Sequence, residues 1–293
     1  MIFSENYKKI KETNPIGFRG YCRNIALDGL AFINQLKDTK AILEKPRIQF
    51  LYIHHIFKDE EHKLDLLLKK LSVNHTFISY GDAINKIVEN KIDKPYICIS
   101  SDDGFKNNIA AAKILNEYNA KACFFINPGI VGNDSFLEIE KYCKAKLNFP
   151  PVEFMSWKDV EQLQQWGHEI GSHTMNHINV ANTAKEIFVD DCTNSFEILN
   201  KMCGEAKHFA FPYGRFFHFN EVGREIVFNA GFISCASAER GCHINDVRVL
   251  KNEEVCILRD HVILDWNMNH IIYFLLNNSK KASFSNNLFP YSK

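Results

Sequence analysis

Between residues 48 and 259, short and nearly unbroken apolar runs alternate with segments of helical period, and that alternation leaves few folds open. Ile48–His54, Thr76–Tyr80, Tyr96–Ser100, Ala122–Ile126, Glu169–Ser172, His208–Phe211, Phe232–Ala236 and Val255–Arg259 read as strands. Runs such as Ile48-Gln49-Phe50-Leu51-Tyr52-Ile53 suit strands covered on both faces, as in a parallel sheet. The intervening segments Glu60–Leu71, Ala83–Asn90, Asn107–Tyr118, Thr183–Cys203 and Asn220–Asn229 carry helical spacing. Another helix opens at Ser156, where Asp159 completes a capping-box pattern, and Gly167 closes it. About eight strands alternating with helices imply a parallel sheet with crossover helices, open or closed into a barrel.

The ends are read less directly. Apolar spacing predicts a helix over Leu27–Leu43 closed by Pro46, so residues 1–46 form an N-terminal helical extension on a domain spanning 47–293. Residues 130–155 read as a long loop with a helical turn, Trp266–Leu276 as a terminal helix, and 277–293 as a polar, fraying tail. Lys plus Arg equals Asp plus Glu at 35 each, which gives no basic face for nucleic acid. No run is long enough to span a membrane. Charges throughout Met1–Glu12 argue against a secretory signal, so a cytoplasmic location is expected. Nine cysteines stand singly with no CxxC, as buried apolar side chains in a reducing compartment would.

The chemistry gathers in three places. The run Tyr96–Ser100 ends in Ser101-Asp102-Asp103-Gly104. Catalytic groups in α/β domains sit at such carboxyl ends of parallel strands, and two adjacent carboxylates call for a cation or a shared proton. Gly171-Ser172 leads into His173-Thr174-Met175-Asn176-His177, where a helical turn would put both imidazoles on one side. Asp103, His173 and His177 together are the ligand set of a catalytic metal with open positions. Zinc is the first expectation, with cobalt, nickel or ferrous iron also compatible. Asp102 beside them is placed to act as general base. Phe211-Pro212-Tyr213-Gly214 ends a strand in a turn that can aim the Tyr213 N–H at a developing oxyanion.

These stretches resemble the motifs of the polysaccharide deacetylases, carbohydrate esterase family four. Ser100–Gly104 is similar to their T-F-D-D-G, His173–His177 to their H-[ST]-x-x-H, and Phe211–Gly214 to the end of their R-x-P-Y-G. The resemblance covers roughly residues 48–260 and implies a distorted (β/α) barrel of seven to eight strands. It makes Asp102 the base, Asp103, His173 and His177 the metal ligands, and Tyr213 N–H an oxyanion donor. Ala210 stands where the third motif has arginine, as in the biofilm poly-N-acetylglucosamine deacetylases. The C-terminal Leu-x-x-His is not evident. Arg259 resembles the arginine that orients the catalytic aspartate, and His261, on the same strand face, is the candidate acid, with His243 and His270 as rivals. His54 and His55, after the first strand, would line the site mouth.

The implied function is metal-dependent removal of an N-acetyl group from an amino sugar in a glycan, lipid-linked or nucleotide-linked precursor. Two other readings stay open at this point: an amidase acting on a non-acetyl or cyclic amide, and a glycan-binding member of the fold without catalysis. The sequence does not fix the oligomeric state.

Overall fold

A computed structural model describes residues 2–13, 17–35, 39–246, 249–283 and 287–290. Strand β1 (Arg47–Ile53) is buried at every residue, as its apolar run requires. It pairs in parallel with β3 (Pro95–Ser101) over seven residues, Arg47 opposite Pro95 to Ile53 opposite Ser101. The short β2 (Thr76–Ile78) pairs with the first half of β3, and β4 (Ala122–Ile126) with its second half. The sheet continues through β5 (Glu169–Ser172), β6 (His208–Ala210), β7 (Ser234–Ala236) and β8 (Cys256–Ile257). Finally β9 (Arg259–His261) pairs with β1. All nine strands are parallel, and the sheet curls into a nearly closed α/β barrel ringed by helices.

Closure depends on a broken strand. The run Val255–Arg259, read from sequence as one strand, splits at Leu258: β8 pairs with β7, and β9 with β1 on the far edge. At the break the Leu258 N–H donates to His243 Nε2 (3.0 Å) instead of to a neighbouring strand. His243 is fully buried, its Nδ1 faces Asn287 Oδ1 (3.0 Å), and its backbone exchanges two 2.9 Å hydrogen bonds with Ile48. This rival for the acid role is therefore a structural side chain of the barrel wall.

The inner surface is packed by alternate strand residues, Phe50, Cys98, Cys123, Phe125, Ala210 and Ala236 among them. Small cysteines and alanines leave room for the Phe and Tyr80 rings, and the described cysteines are free thiols. A Cβ on Gly171 would lie 2.5 Å from the Phe125 ring, so β5 can pass there only with glycine. The outer face of the sheet is covered by apolar faces of helices such as Glu61–Leu71, Asn108–Glu117 and Trp157–Gln165, the last opened by the expected Ser156–Asp159 capping box.

Several boundaries differ from the sequence reading. The N-terminal region holds helices Tyr7–Thr13, Phe18–Gln35 and Lys40–Leu43 in place of one helix over 27–43, part of which, 36–38, lies outside the described residues. Residues 136–147 are helical, a short α-helix (Phe136–Tyr142) running into a π-helical turn (Cys143–Leu147). The terminal helix runs Met268–Lys280, and beyond it Phe289 is fully buried against Phe219, so the described end of the tail docks and does not fray. No described helix is long and apolar enough to cross a membrane.

Candidate active site

At the carboxyl end of β3 the backbone leaves the sheet through Asp103 (φ 74°) and Gly104 (φ 81°). Left-handed φ at a non-glycine residue is costly, and it is this twist that brings two neighbouring carboxylates to one site. Asp102 keeps strand register, its N–H donating to Ile53 O (3.0 Å). Its carboxylate is gripped at both oxygens by Arg259 Nη1 (2.7 Å) and Nη2 (2.8 Å). Arg259 is fully buried, donates from Nε to Ser237 O (2.8 Å) and from Nη1 to Ser100 Oγ (3.2 Å), and lies between the rings of Tyr52 and Phe125. Burial alone would push the Asp102 carboxyl up; the guanidinium overrides it and holds the pKa down at about 2. Arg259 thus meets Asp102 in a bidentate, charge-assisted pair.

The two histidines converge on Asp103, though not by way of a helix. Residues 173–177 form a turn in which Thr174 (φ 64°) and His177 (φ 49°) are both left-handed. Neighbouring elements hold that turn: Asp191 Oδ1 accepts the Met175 N–H (2.8 Å), and Asn127 Nδ2 donates to the carbonyls of His173 and Thr174. His173 Nδ1 donates to Ala210 O (2.7 Å), which turns the Nε2 lone pair toward Asp103. His173 Nε2 and His177 Nε2 stand 3.7 and 3.5 Å from Asp103 Oδ1, and the three ligand atoms lie within 4.8 Å of one another. Burial depresses the pKa of both imidazoles, so they are neutral, as ligands must be. Asp103 Oδ1 is buried without a hydrogen-bond partner, while burial and the Asp102 charge push its carboxyl well up. An acceptor orphaned between two neutral imidazoles fits a divalent cation. No other group of three such side chains converges among the described residues.

The remaining predicted residues line the same cavity of about 370 Å³. Three residues beyond β6, Tyr213 (φ 63°) forms a left-handed turn with Gly214 (φ 67°), where a Cβ would strike Ala238 at 2.2 Å. The Tyr213 ring stands edge-on to His177 at 4.9 Å. His261 stacks on Tyr52 (4.8 Å) and places Nε2 3.1 Å from His54 Nδ1. The intervening Asp260 faces the other way, to Arg240 and Asn278. His270, the second rival, lies on the outer terminal helix and meets Asp28 at 2.7 Å. His55 is held by Glu60 (3.2 Å) and stacks on Phe149.

Sequence reasoning missed Tyr7, Phe105, Lys146 and Phe149, which also border the cavity. It noted His54 without seeing its partner; the signal was the Tyr52-Ile53-His54 ending of β1.

The polysaccharide deacetylase family profile matches residues 89–232, a span that includes Asp102, Asp103, His173, His177 and Tyr213. A chitooligosaccharide deacetylase of Azorhizobium caulinodans is 30% identical over 122 residues, 40% of this chain and 48% of that protein. The chain therefore matches about half the length of that curated relative. Among solved structures, the Streptococcus pyogenes deacetylase PplD, in complex with acetate, superposes with a TM-score of 0.62 at 18% identity, over 78% of this chain and 98% of that one. IcaB from Ammonifex degensii gives 0.61 at 16% identity, over 80% and 98%. The de-N-acetylase from Aggregatibacter actinomycetemcomitans gives 0.58 at 18%, over 78% and 99%. At such identities the likeness to these structures is one of fold. The profile match runs through both halves of the Asp103–His173–His177 cluster at the barrel mouth, so it is in the residues of this site that the chain is similar to the polysaccharide deacetylases.

Proposed function

We propose that the chain is a metal-dependent carbohydrate N-deacetylase, a hydrolase that cleaves the acetamide C–N bond of an amino sugar in a glycan, lipid-linked or nucleotide-linked precursor. One observation carries this reading: two adjacent carboxylates in opposed environments, Asp102 kept ionised by Arg259 and Asp103 aimed with His173 and His177 at a common point. Asp103, His173 and His177 would hold the cation, with zinc expected first. Such a cation, when bound, polarises the acetamide carbonyl and brings the pKa of a water down to about 7.

The chain's own residues supply the rest. Asp102 takes the proton of the attacking water, and Arg259 keeps that base charged and oriented. The Tyr213 N–H stabilises the oxyanion as the carbonyl becomes tetrahedral. The proton that Asp102 takes from the water passes to the leaving amine through His54 and His261, which face one another at 3.1 Å. Burial holds His54 near a pKa of about 4, so it rests neutral and takes up a proton only as negative charge develops beside it. Ala210 carries no guanidinium of its own; its carbonyl orients His173 while Arg259 reaches Asp102 from β9. That arrangement favours a branch resembling the biofilm poly-N-acetylglucosamine deacetylases.

Acetate release from N-acetylglucosamine oligosaccharides by chelator-stripped protein, before and after reloading with zinc, cobalt, nickel or ferrous iron, tests the reading. Release confined to reloaded protein is the expected result. Equal release by stripped protein, or formate but no acetate from the matching N-formyl and N-acetyl substrates, overturns it.

A further inference from the structure

The cavity that holds the candidate metal ligands is not walled by the barrel alone. Tyr7 borders the cavity beside His55, Leu147, Lys146 and Phe149. Its ring lies 5.0 Å from that of His55, which in turn stacks on Phe149 at 5.3 Å and 19°. This continuous aromatic face joins residue 7, a residue of the first-strand loop and a residue next to the π-helical turn.

Tyr7 is held where it is. Asp59 accepts the N–H groups of Tyr7 (3.0 Å) and Lys8 (3.1 Å) and so fixes the first turn of the helix Tyr7–Thr13. Ile10 is buried with Phe57, Phe105 and Phe154, and Ser4 N–H donates to Pro151 O (2.9 Å). Lys11 pairs with Asp265, which also takes Lys63 at 2.7 Å. Three attachments on the seven-residue helix and a fourth at Ser4 just before it exceed what a passing tail needs.

We propose that Tyr7 is a specificity-determining residue: delivered by this clamped N-terminal segment, it completes an aromatic wall that packs against the sugar unit next to the one being deacetylated. A pyranose ring offers an apolar face of C–H groups with hydroxyls around its rim, and a rigid aromatic wall matches that face at little entropic cost. Tyr7 and His55 lie outside residues 89–232 and Phe149 inside them, so the wall joins the matched span to segments beyond it. This inference rests on the deacetylase reading above.

The test uses the metal-loaded full chain with N-acetylglucosamine and its oligosaccharides of two to six units. Tyr7→Ala raises KM for the oligosaccharides about fivefold or more, with a smaller fall in kcat and a shift of no more than about twofold for the monosaccharide. Tyr7→Phe keeps the wild-type KM. Asp59→Ala, which does not border the cavity, moves the oligosaccharide KM in the same direction by freeing the helix. An oligosaccharide KM unaltered in Tyr7→Ala overturns the proposal, as does an equal rise for monosaccharide and oligosaccharides, which a merely structural role would produce. Calorimetric binding of the same sugars separates the two readings. If wild type binds but releases no acetate, the deacetylase reading fails, and loss of oligosaccharide affinity in Tyr7→Ala still decides the role of Tyr7.

Discussion

Asp102 and Asp103 share a peptide bond and meet different electrostatics. A fully buried guanidinium holds the first ionised, and two neutral imidazoles face the second. Both carboxylates and both histidines were legible because they sit beside one another or four apart. The pairing of His54 with His261, 207 residues apart, exists only because β1 and β9 lie in register with Tyr52 opposite His261. No local spacing encodes that. Two groups of predictions belong here, for the base and then for the acid. Asp102→Asn keeps the metal content of wild type while kcat falls by about 10²–10⁴; near wild-type turnover would dismiss Asp102 as the base. Because Arg259 sets the Asp102 pKa at about 2, the base stays charged at every pH well above that value, and the wild-type profile shows no acidic limb from it between pH ~5 and 9. The second concerns the acid. His54→Ala and His261→Ala each lower kcat by about 10² or more, and the double variant is scarcely worse than either single one, since a shared proton is lost once. Fully multiplicative effects would show that the rings act independently.

At the scale of elements, the strands and helices of the barrel followed from period and capping, and the closure did not. Val255–Arg259 has the composition of one strand; it breaks at Leu258 because His243, brought in by its backbone bridge to Ile48, captures the N–H that would have continued the ladder. The same limit applies to 173–177, where spacing alone suggested a helical turn and contacts from Asn127 and Asp191 impose a left-handed one. The closure carries a pH signature. Burial holds His243 near a pKa of about 4, below the unfolded value of ~6.5. Between these values the unfolded chain binds the extra proton, so the stability tied to neutral His243 is whole above ~6.5 and lost as pH falls through about 4. His243→Gln, which can still accept from Leu258 and donate to Asn287, does not titrate. Urea unfolding at pH 7.5 and 5.0 should show wild type losing about 2 kcal/mol more than this variant over that interval. Parallel losses in both proteins would remove His243 from the account.

Over the whole molecule, both ends return to the barrel, and this was the least legible level. The polar stretch 277–293 gives no hint that Leu288 bridges Val255 or that Asn287 supports His243, since the partners lie far off in sequence. Likewise Tyr7 reads as one aromatic in a charged segment until Asp59 and the cavity are in view. The site itself joins distant parts of the chain: its ligands come from the ends of β3 and β5, and the carbonyl that orients His173 comes from β6. A cation bound by Asp103, His173 and His177 would therefore tie the ends of two strands, β3 and β5, and since the unfolded chain holds no such arrangement, its binding energy adds to folding. At a free metal concentration about a thousandfold above Kd, the gain is about 4 kcal/mol, or roughly 5–15 °C in melting temperature for a chain of this size. Thermal unfolding of stripped and zinc-loaded protein measures this directly. Wild type should rise on loading and fall back with chelator, while His177→Ala, with one imidazole gone, should show little response. The variant's own stripped melting temperature separates a lost ligand from a damaged fold: if it matches stripped wild type and only the metal-dependent rise is missing, the three side chains form the binding site. A wild-type melting temperature indifferent to metal would remove the premise on which the cluster was read.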